Sequence, residues 1–126
     1  MDSVLFGITP PNVTALGDRS WQNSRRLRVI TIPKSCKSFG LYPLYRENVL
    51  GIHKPVVIMF PVTPPTCLQG NNSLTRANSN FYVPDDSVSA YKSASYWSNY
   101  ASSIYGFSQL AIDYPEYYEA YMHIYD

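Results

Sequence analysis

The side chains that could do chemistry are few and widely separated in this sequence. His53 lies in a predicted loop and His123 in the C-terminal segment, and neither has a carboxylate or a cysteine at a spacing typical of a metal site. Cys36 and Cys67 are the only cysteines, so they form neither a disulfide framework nor a four-ligand metal site, although a single bridge is compatible with the sequence. No glycine-rich phosphate loop is present. The sequence therefore predicts a protein that is not an enzyme and that holds no metal or other cofactor.

Two charged groupings allow both a chemical and a structural interpretation. Asp85 and Asp86 could form a carboxylate pair, but they also suit the start of a helix, where carboxylates accept free N–H groups, and we favour this capping role. Arg25, Arg26 and Arg28 form the densest basic cluster. This cluster is a candidate site for an acidic protein surface, whereas no motif supports nucleic-acid binding.

Charge is distributed unevenly between the two halves of the chain. Residues 1–63 carry eight bases and three acids, a balance of +5, whereas residues 64–126 carry two bases and six acids, a balance of −4. The halves could attract each other between subunits, or both could be ordinary solvated faces. The formal net charge of +1 excludes a strong field that would draw the protein to nucleic acid or to acidic membranes.

Neither a membrane span nor an export signal is expected. No apolar run approaches the ~18 residues that a transmembrane helix needs. The first residues lack a basic region followed by a long apolar stretch, which a signal peptide would show.

A repeat with a period of 23 residues organises the N-terminal half. Residues 10–17 align with residues 33–40, and both segments share a proline, two apolar positions three residues apart and a glycine. Each unit is predicted to contain a short strand, a turn and a second short element, and to bury its apolar edge by stacking on the next unit. Because Cys36 falls on an inward position, we expect a buried, unreactive thiol there and likewise at Cys67.

The C-terminal half is predicted to contain two strands and a cap. Residues 56–60 and 81–83 have the composition of short buried strands, and residues 69–80 that of a loop. A helix is expected over about 86–95, followed by a second helical turn that ends at Ile104. The predicted structural core, over the whole chain, consists of Trp21, Leu27, Ile30, Ile32, Cys36, Phe39, Tyr91, Trp97 and Ile104.

The last segment, residues 108–126, differs in composition from the rest. It contains four acids, five tyrosines and no lysine or arginine. Pro115 suits the first position of a helix, and Tyr114, Tyr118, Tyr121 and Tyr125 follow at helical spacing, which gives one aromatic face. This face could pack on the same chain, dock on a neighbouring protein, or belong to a frayed tail.

Two segments of the chain resemble the BspA-like leucine-rich-repeat family. Residues 16–40 contain Ile-Thr-Ile-Pro followed by Phe-Gly, which is similar to the Ile-x-Ile-Pro and Ile-Gly pattern of the repeats. Residues 62–104, with Thr-Pro-Pro-Thr and Phe-Tyr-Val-Pro-Asp-Asp, resemble the segment that closes many of these arrays. The likeness covers about residues 8–107. Gly7 and Thr9 stand where the family prefers isoleucine.

The resemblance implies a mixed α/β fold. Residues 1–107 would form a short leucine-rich-repeat solenoid of short strands with a helical C-terminal cap. The tail after Phe107 has no counterpart in the family, and its own sequence predicts a tyrosine-rich docking helix over residues 108–126. Members of the family occur in surface proteins of gut bacteria and in proteins of the bacteriophages that infect them. They are associated with adhesion and assembly, and no catalytic residues carry over.

The sequence thus favours a non-enzymatic protein of an oligomer or larger assembly. The expected role is a structural or accessory component of a bacteriophage virion, made in the host cytoplasm and bound to other protein subunits. The alternatives are a receptor- or glycan-binding adhesion module and a fragment of a bacterial cell-surface adhesin. The candidate partner-binding residues are Arg25, Arg26, Arg28, Tyr114, Tyr118, Tyr121 and Tyr125.

Overall fold

The computed structural model describes residues 6–18, 28–44, 55–74 and 79–126, which form two parallel sheets and three short α-helices. The five-stranded sheet has the order β1-β3-β5-β7-β8, and the three-stranded sheet has the order β2-β4-β6. The strands are β1 (Phe6–Ile8), β2 (Ala15–Leu16), β3 (Val29–Ile32), β4 (Ser38–Phe39), β5 (Val56–Met59), β6 (Thr66–Cys67), β7 (Asn80–Val83) and β8 (Ile104–Gly106). The helices are α1 (Val88–Ser93), α2 (Phe107–Asp113) and α3 (Pro115–Tyr121), with 3-10 segments at Gly70–Ser73, Asp85–Ser87 and Trp97–Ser103.

From β1 to β7 the chain passes alternately through the two sheets. Parallel neighbours cannot be joined by a tight turn, and here each crossover runs through the other sheet. The Cα register pairs Phe6 with Val29, Val29 with Val56, and Val56 with Asn80, which are steps of 23, 27 and 24 residues along the chain. The mixed α/β class predicted from the sequence is confirmed. The leucine-rich-repeat solenoid itself stays a prediction.

The main core is the apolar layer to which both sheets contribute. Trp97 is its largest residue, and its ring lies 5.6 Å from that of Phe39, 5.3 Å from that of Phe81 and 5.2 Å from that of Tyr91. The indole Nε1–H donates to the carbonyl oxygen of Pro65 at 2.9 Å, so no polar atom of this large side chain is left unpaired in the core. Seven of the residues predicted as core belong to this layer: Ile30, Ile32, Cys36, Phe39, Tyr91, Trp97 and Ile104. The other two, Trp21 and Leu27, lie outside the described residues.

Most of the elements predicted from local pattern lie where they were expected. The two predicted strands are β5 and β7, and the predicted helix around residues 86–95 is α1 with the 3-10 turn before it. The helical turn predicted to end at Ile104 is wrong at its last residue, because Ile104 has extended backbone angles (φ −110°, ψ 124°) and begins β8. Pairing with Phe81 on β7 and full burial of the side chain outweigh the helical spacing there.

Asp85 caps a helix, but not the one that follows it in sequence. Its carboxylate accepts hydrogen bonds from the backbone N–H of Ser108 (3.0 Å) and from the Ser108 hydroxyl (2.6 Å), at the start of α2. These bonds lower the pKa of Asp85. Neither Asp85 nor Asp86 bonds to the free N–H groups of α1, so the predicted cap is wrong in its target.

A second aspartate makes the same kind of contact across the same interval. The Asp18 carboxylate accepts from the N–H of Leu41, 23 residues later, as Asp85 accepts from a residue 23 positions later. In both places a glycine, Gly40 or Gly106, lies so close that an added Cβ would collide with the carboxylate. The absence of a Cβ at Gly40 and Gly106 therefore lets each segment approach the aspartate of the segment before it.

Within the described ranges, no helix combines the length and the apolar character that a bilayer crossing requires.

Replacement of Gly106 with alanine should lower the free energy of unfolding by about 1–2 kcal/mol, because the new Cβ displaces the Asp85 carboxylate from Ser108. In an Asp85→Ala background the same replacement should be less harmful, with a coupling of about 1 kcal/mol between the two sites. Urea denaturation of the parent, both single variants and the double variant measures this coupling. Strictly additive losses would show that the contact is not made.

Candidate interaction surface

The outer face of the five-stranded sheet is apolar and covered. Along β3 and β5 every residue is buried, so the outward side chains Val29, Thr31, Val56 and Ile58 are as inaccessible as the inward ones. Tyr82 on β7 continues this outer layer. The cover is the C-terminal tail (residues 108–126).

The tail lies on the sheet through aromatic and aliphatic side chains. Leu110 of α2 is fully buried, and Tyr114 approaches Tyr82 edge-on with ring centres 6.2 Å apart. Tyr117 stacks on Tyr114 at 5.2 Å with nearly parallel rings. The tail residues that pack on the outer layer as partly buried side chains are Tyr114, Tyr117, Tyr121, Met122 and Tyr125.

Tyr125 fastens the end of the tail to the first strands. Its hydroxyl donates to the carbonyl oxygen of Thr9 at 2.5 Å, and the hydroxyl of Thr31 lies 2.7 Å from the phenol oxygen of Tyr125. Its ring packs edge-on against Phe60 at 5.1 Å. Burial raises the pKa of Tyr125, while the bonds to Thr31 and Thr9 oppose that shift. The last turn of the chain is thereby tied to β3 and to the residue that follows β1.

Tyr82 fastens the other end of the tail. Its hydroxyl donates to a carboxylate oxygen of Asp113 at 2.8 Å, and the second oxygen accepts from the Gln109 side chain at 2.8 Å. Burial is the largest cause that raises the pKa of Tyr82, and the bond to Asp113 adds to it. The phenol therefore stays protonated and keeps donating at neutral pH.

The structure thus shows the first of the three arrangements that the sequence left open for the tail. Tyr114, Tyr121 and Tyr125 pack on the same chain and are partly buried there, and their role in binding a partner stays a prediction. Tyr118 is 38% exposed and remains accessible. Tyr117 packs as well, although the predicted aromatic face omitted it; its spacing of three from Tyr114 and four from Tyr121 was the available signal.

The outward side of the tail is acidic, with some exposed apolar surface. Glu116 and Glu119 are exposed, and so is Ile112. In the part of the chain that the structure describes, the one ion pair joins His123 to Asp126, whose Nδ1 and carboxylate oxygen lie 2.6 Å apart. The carboxylates of α3 therefore have no basic partner among the described residues.

The candidate basic surface is only partly described. Arg25 and Arg26 lie outside the described residues, while Arg28 is exposed just before β3. Lys34 and Lys37 are exposed in the turn between β3 and β4. These three bases form no ion pair with any described residue.

The two cysteines are buried, whereas the described histidine is exposed. Cys36 and Cys67 are free and buried, and burial raises the pKa of both thiols, that of Cys67 to about 11. His123 is exposed, and His53 lies outside the described residues. No group of three or more potential metal ligands is found across residues 6–18, 28–44, 55–74 and 79–126.

No protein-family model matches this chain, and no curated protein sequence matches it.

Replacement of Tyr125 with phenylalanine should destabilise the protein by about 1–2 kcal/mol, because the Thr9 carbonyl and the buried Thr31 hydroxyl lose their partner while the ring contact with Phe60 is retained. Tyr118→Phe is the matched control, since this exposed tyrosine should tolerate the change within about 0.5 kcal/mol. Urea denaturation gives both values. Equal effects of the two variants would mean that Tyr125 does not fasten the tail.

Alkaline pH should weaken the attachment of the tail. The folded-state pKa values of Tyr82, Tyr121 and Tyr125 are raised above the ordinary value of about 10, so their stabilising effect is complete below pH 10 and is lost as the pH rises through the raised values. The free energy of unfolding of Tyr125→Phe should therefore fall less steeply above pH 10 than that of the parent. Thermal unfolding across pH 8–11 tests this, and identical slopes would contradict it.

Proposed function

We propose that this chain is a non-enzymatic assembly protein, built as a short BspA-like leucine-rich-repeat solenoid, whose partners are other protein subunits. The observation that carries the proposal is the segregation of exposed charge. Bases without a described partner lie in the first half of the chain, and carboxylates without one lie on the outward side of the tail.

The arrangement of the strands supports a solenoid. Successive strands of each sheet pair in parallel at steps of 23 to 28 residues, and the chain crosses to the other sheet between them. The contacts of Asp18 and Asp85 also span 23 residues each. A protein in which each unit mainly contacts its neighbours offers an extended surface for partners, which suits assembly.

The tail defines the surface that a partner would meet. Four of its five tyrosines pack on the sheet, and its outward side presents Glu116, Glu119, Ile112 and the remaining tyrosine, Tyr118. A second copy of the chain offers complementary charge through its exposed bases. Contact between two different surfaces of the same chain is heterologous, so it forms a ring if the rotation closes and a filament if it does not.

The proposed setting is a bacteriophage virion, in which the protein would be a structural or accessory component. The resemblance to the BspA-like family supports this setting, and the outward acidic tail supports contact with other subunits. Mass spectrometry of purified particles tests the assignment. Recovery of the chain at a fixed stoichiometry supports a virion component, whereas its absence from particles and presence at a bacterial surface supports the adhesin alternative.

Light scattering across a range of salt concentrations tests the assembly itself. We expect an oligomer at low salt whose mass falls as salt rises, because exposed charges are screened beyond about 10 Å at 0.1 M ionic strength. A well-folded monomer at every salt concentration would contradict the proposal and favour an independent binding module.

A pair of charge variants separates a local contact from an effect of net charge. The double variant Glu116→Gln/Glu119→Gln removes two acids from the tail, and Ser89→Lys/Ala90→Lys adds two bases on exposed positions of α1, so both raise the net charge by two. We expect the first to weaken association roughly tenfold, since each rim ion pair contributes up to about 1 kcal/mol. The second should leave association within about twofold of the parent. Equal losses in both would show that the tail is not the contact.

A further inference from the structure

A groove lies where the turn before β6 faces the residues that follow α1. It has a volume of about 250 Å³, and its lining comprises residues 64–67 on one side and 94–97 on the other. Trp97 and Pro65 form its buried floor, joined by the indole hydrogen bond. Cys67 and Trp97 of the main core contribute to its lining, and no residue of the tail does.

Tyr96 lies at the rim of the groove in a backbone conformation that tyrosine rarely adopts. Its φ is 70° and its ψ is −39°, and its side chain is 43% exposed. The ring lies against Gly70, where an added Cβ would come within 3.3 Å of it. The strained backbone therefore places an aromatic ring at the surface, and Gly70 packs against one side of that ring.

Three side chains that line the groove carry hydroxyl groups. Thr66 and Ser95 line the groove and are exposed, and Tyr96 contributes its own phenol. None of these three hydroxyls has a protein partner among the described residues. Asn99 lies nearby, since its N–H donates to the Tyr96 carbonyl oxygen and its side-chain amide reaches Asn71 at 3.4 Å.

We propose that this groove binds a neutral sugar, with one pyranose ring packed against Tyr96 and its hydroxyls bonded to Thr66 and Ser95. A sugar ring has apolar C–H faces and hydroxyl edges, and it therefore needs an aromatic surface beside hydroxyl or amide groups. This inference is independent of the proposed assembly, because the groove lies apart from the acidic tail.

The size and charge of the groove decide between a sugar and other ligands. A volume of 250 Å³ is below the roughly 300–1,000 Å³ of pockets for drug-sized molecules, so it suits one small ring. No lining residue is charged, since Cys67 is a thiol whose raised pKa keeps it protonated at neutral pH. The adjoining edge strand β6 has only two residues, which is too short to template an extended peptide.

The test is titration of the full chain, labelled with ¹⁵N, by neutral pyranosides, followed by chemical-shift changes. The neutral probes are methyl α-glucopyranoside, methyl α-mannopyranoside, methyl β-galactopyranoside and N-acetylglucosamine. N-acetylneuraminic acid represents charged sugars, and a proline-rich peptide represents peptide ligands. We expect saturable shifts at residues 94–97 for at least one neutral pyranoside, with a Kd on the order of 1 mM.

Tyr96→Gly is the decisive variant, because glycine accepts the positive φ and the change removes the whole aromatic side chain. It should unfold within about 4 °C of the parent, and its affinity should fall roughly tenfold or more. Tyr118→Ala is the matched control, since it removes a tyrosine of similar exposure on the tail and should leave sugar binding unchanged.

Three outcomes would overturn the proposal. They are the absence of saturable shifts with every neutral pyranoside, binding of only the charged sugar or the peptide, and sugar binding that survives in Tyr96→Gly. Because oligomeric state is measured separately, failure of the sugar site and failure of the assembly proposal remain distinguishable.

Discussion

The central constraint on this protein is that a parallel sheet of short strands must be covered on both faces. All four residues of β3 and of β5 are buried, so neither face of the sheet can be left to water. The small sheet and the cap around Trp97 cover the inner face, and the C-terminal tail covers the outer one. Strands of three or four residues supply few hydrogen bonds, and burial from both sides is what holds them in register.

The cover on the outer face is aromatic and also polar at its two ends. Tyr82 bonds to Asp113 at one end, and Tyr125 bonds to Thr9 and Thr31 at the other. Aromatic rings supply contact area, while the phenol groups fix where each ring lies. The tail thus joins the last strands of the sheet to the first ones. One buried polar atom, the Thr9 hydroxyl, has no hydrogen-bond partner among the described residues.

The two surfaces that we propose for partners both lie away from the covered faces of the sheet. The acidic outward side of the tail suits a charged protein surface, because its carboxylates have no described basic partner. The groove beside Tyr96 suits a small neutral ligand, because its lining is apolar and hydroxyl-bearing. These surfaces lie on different elements, so one chain could use both at once.

The sequence alone determined the elements whose pattern is local. The buried runs at 56–60 and 81–83, the helix near residue 90 and the inward positions of Ile30, Ile32, Phe39 and Trp97 all follow from periodicity and burial preference. Only the tertiary structure decided which part of the chain each capping, strand-forming or aromatic residue contacts. Asp85 bonds to α2 instead of α1, Ile104 joins β7 as a strand, and four of the five tyrosines of the tail pack on the sheet of the same chain. The physical reason is that a capping carboxylate can accept from any free N–H group, a strand edge can pair with any strand, and an aromatic face can pack on any apolar surface. Local sequence does not specify which of these the fold brings near, because the partner is distant along the chain.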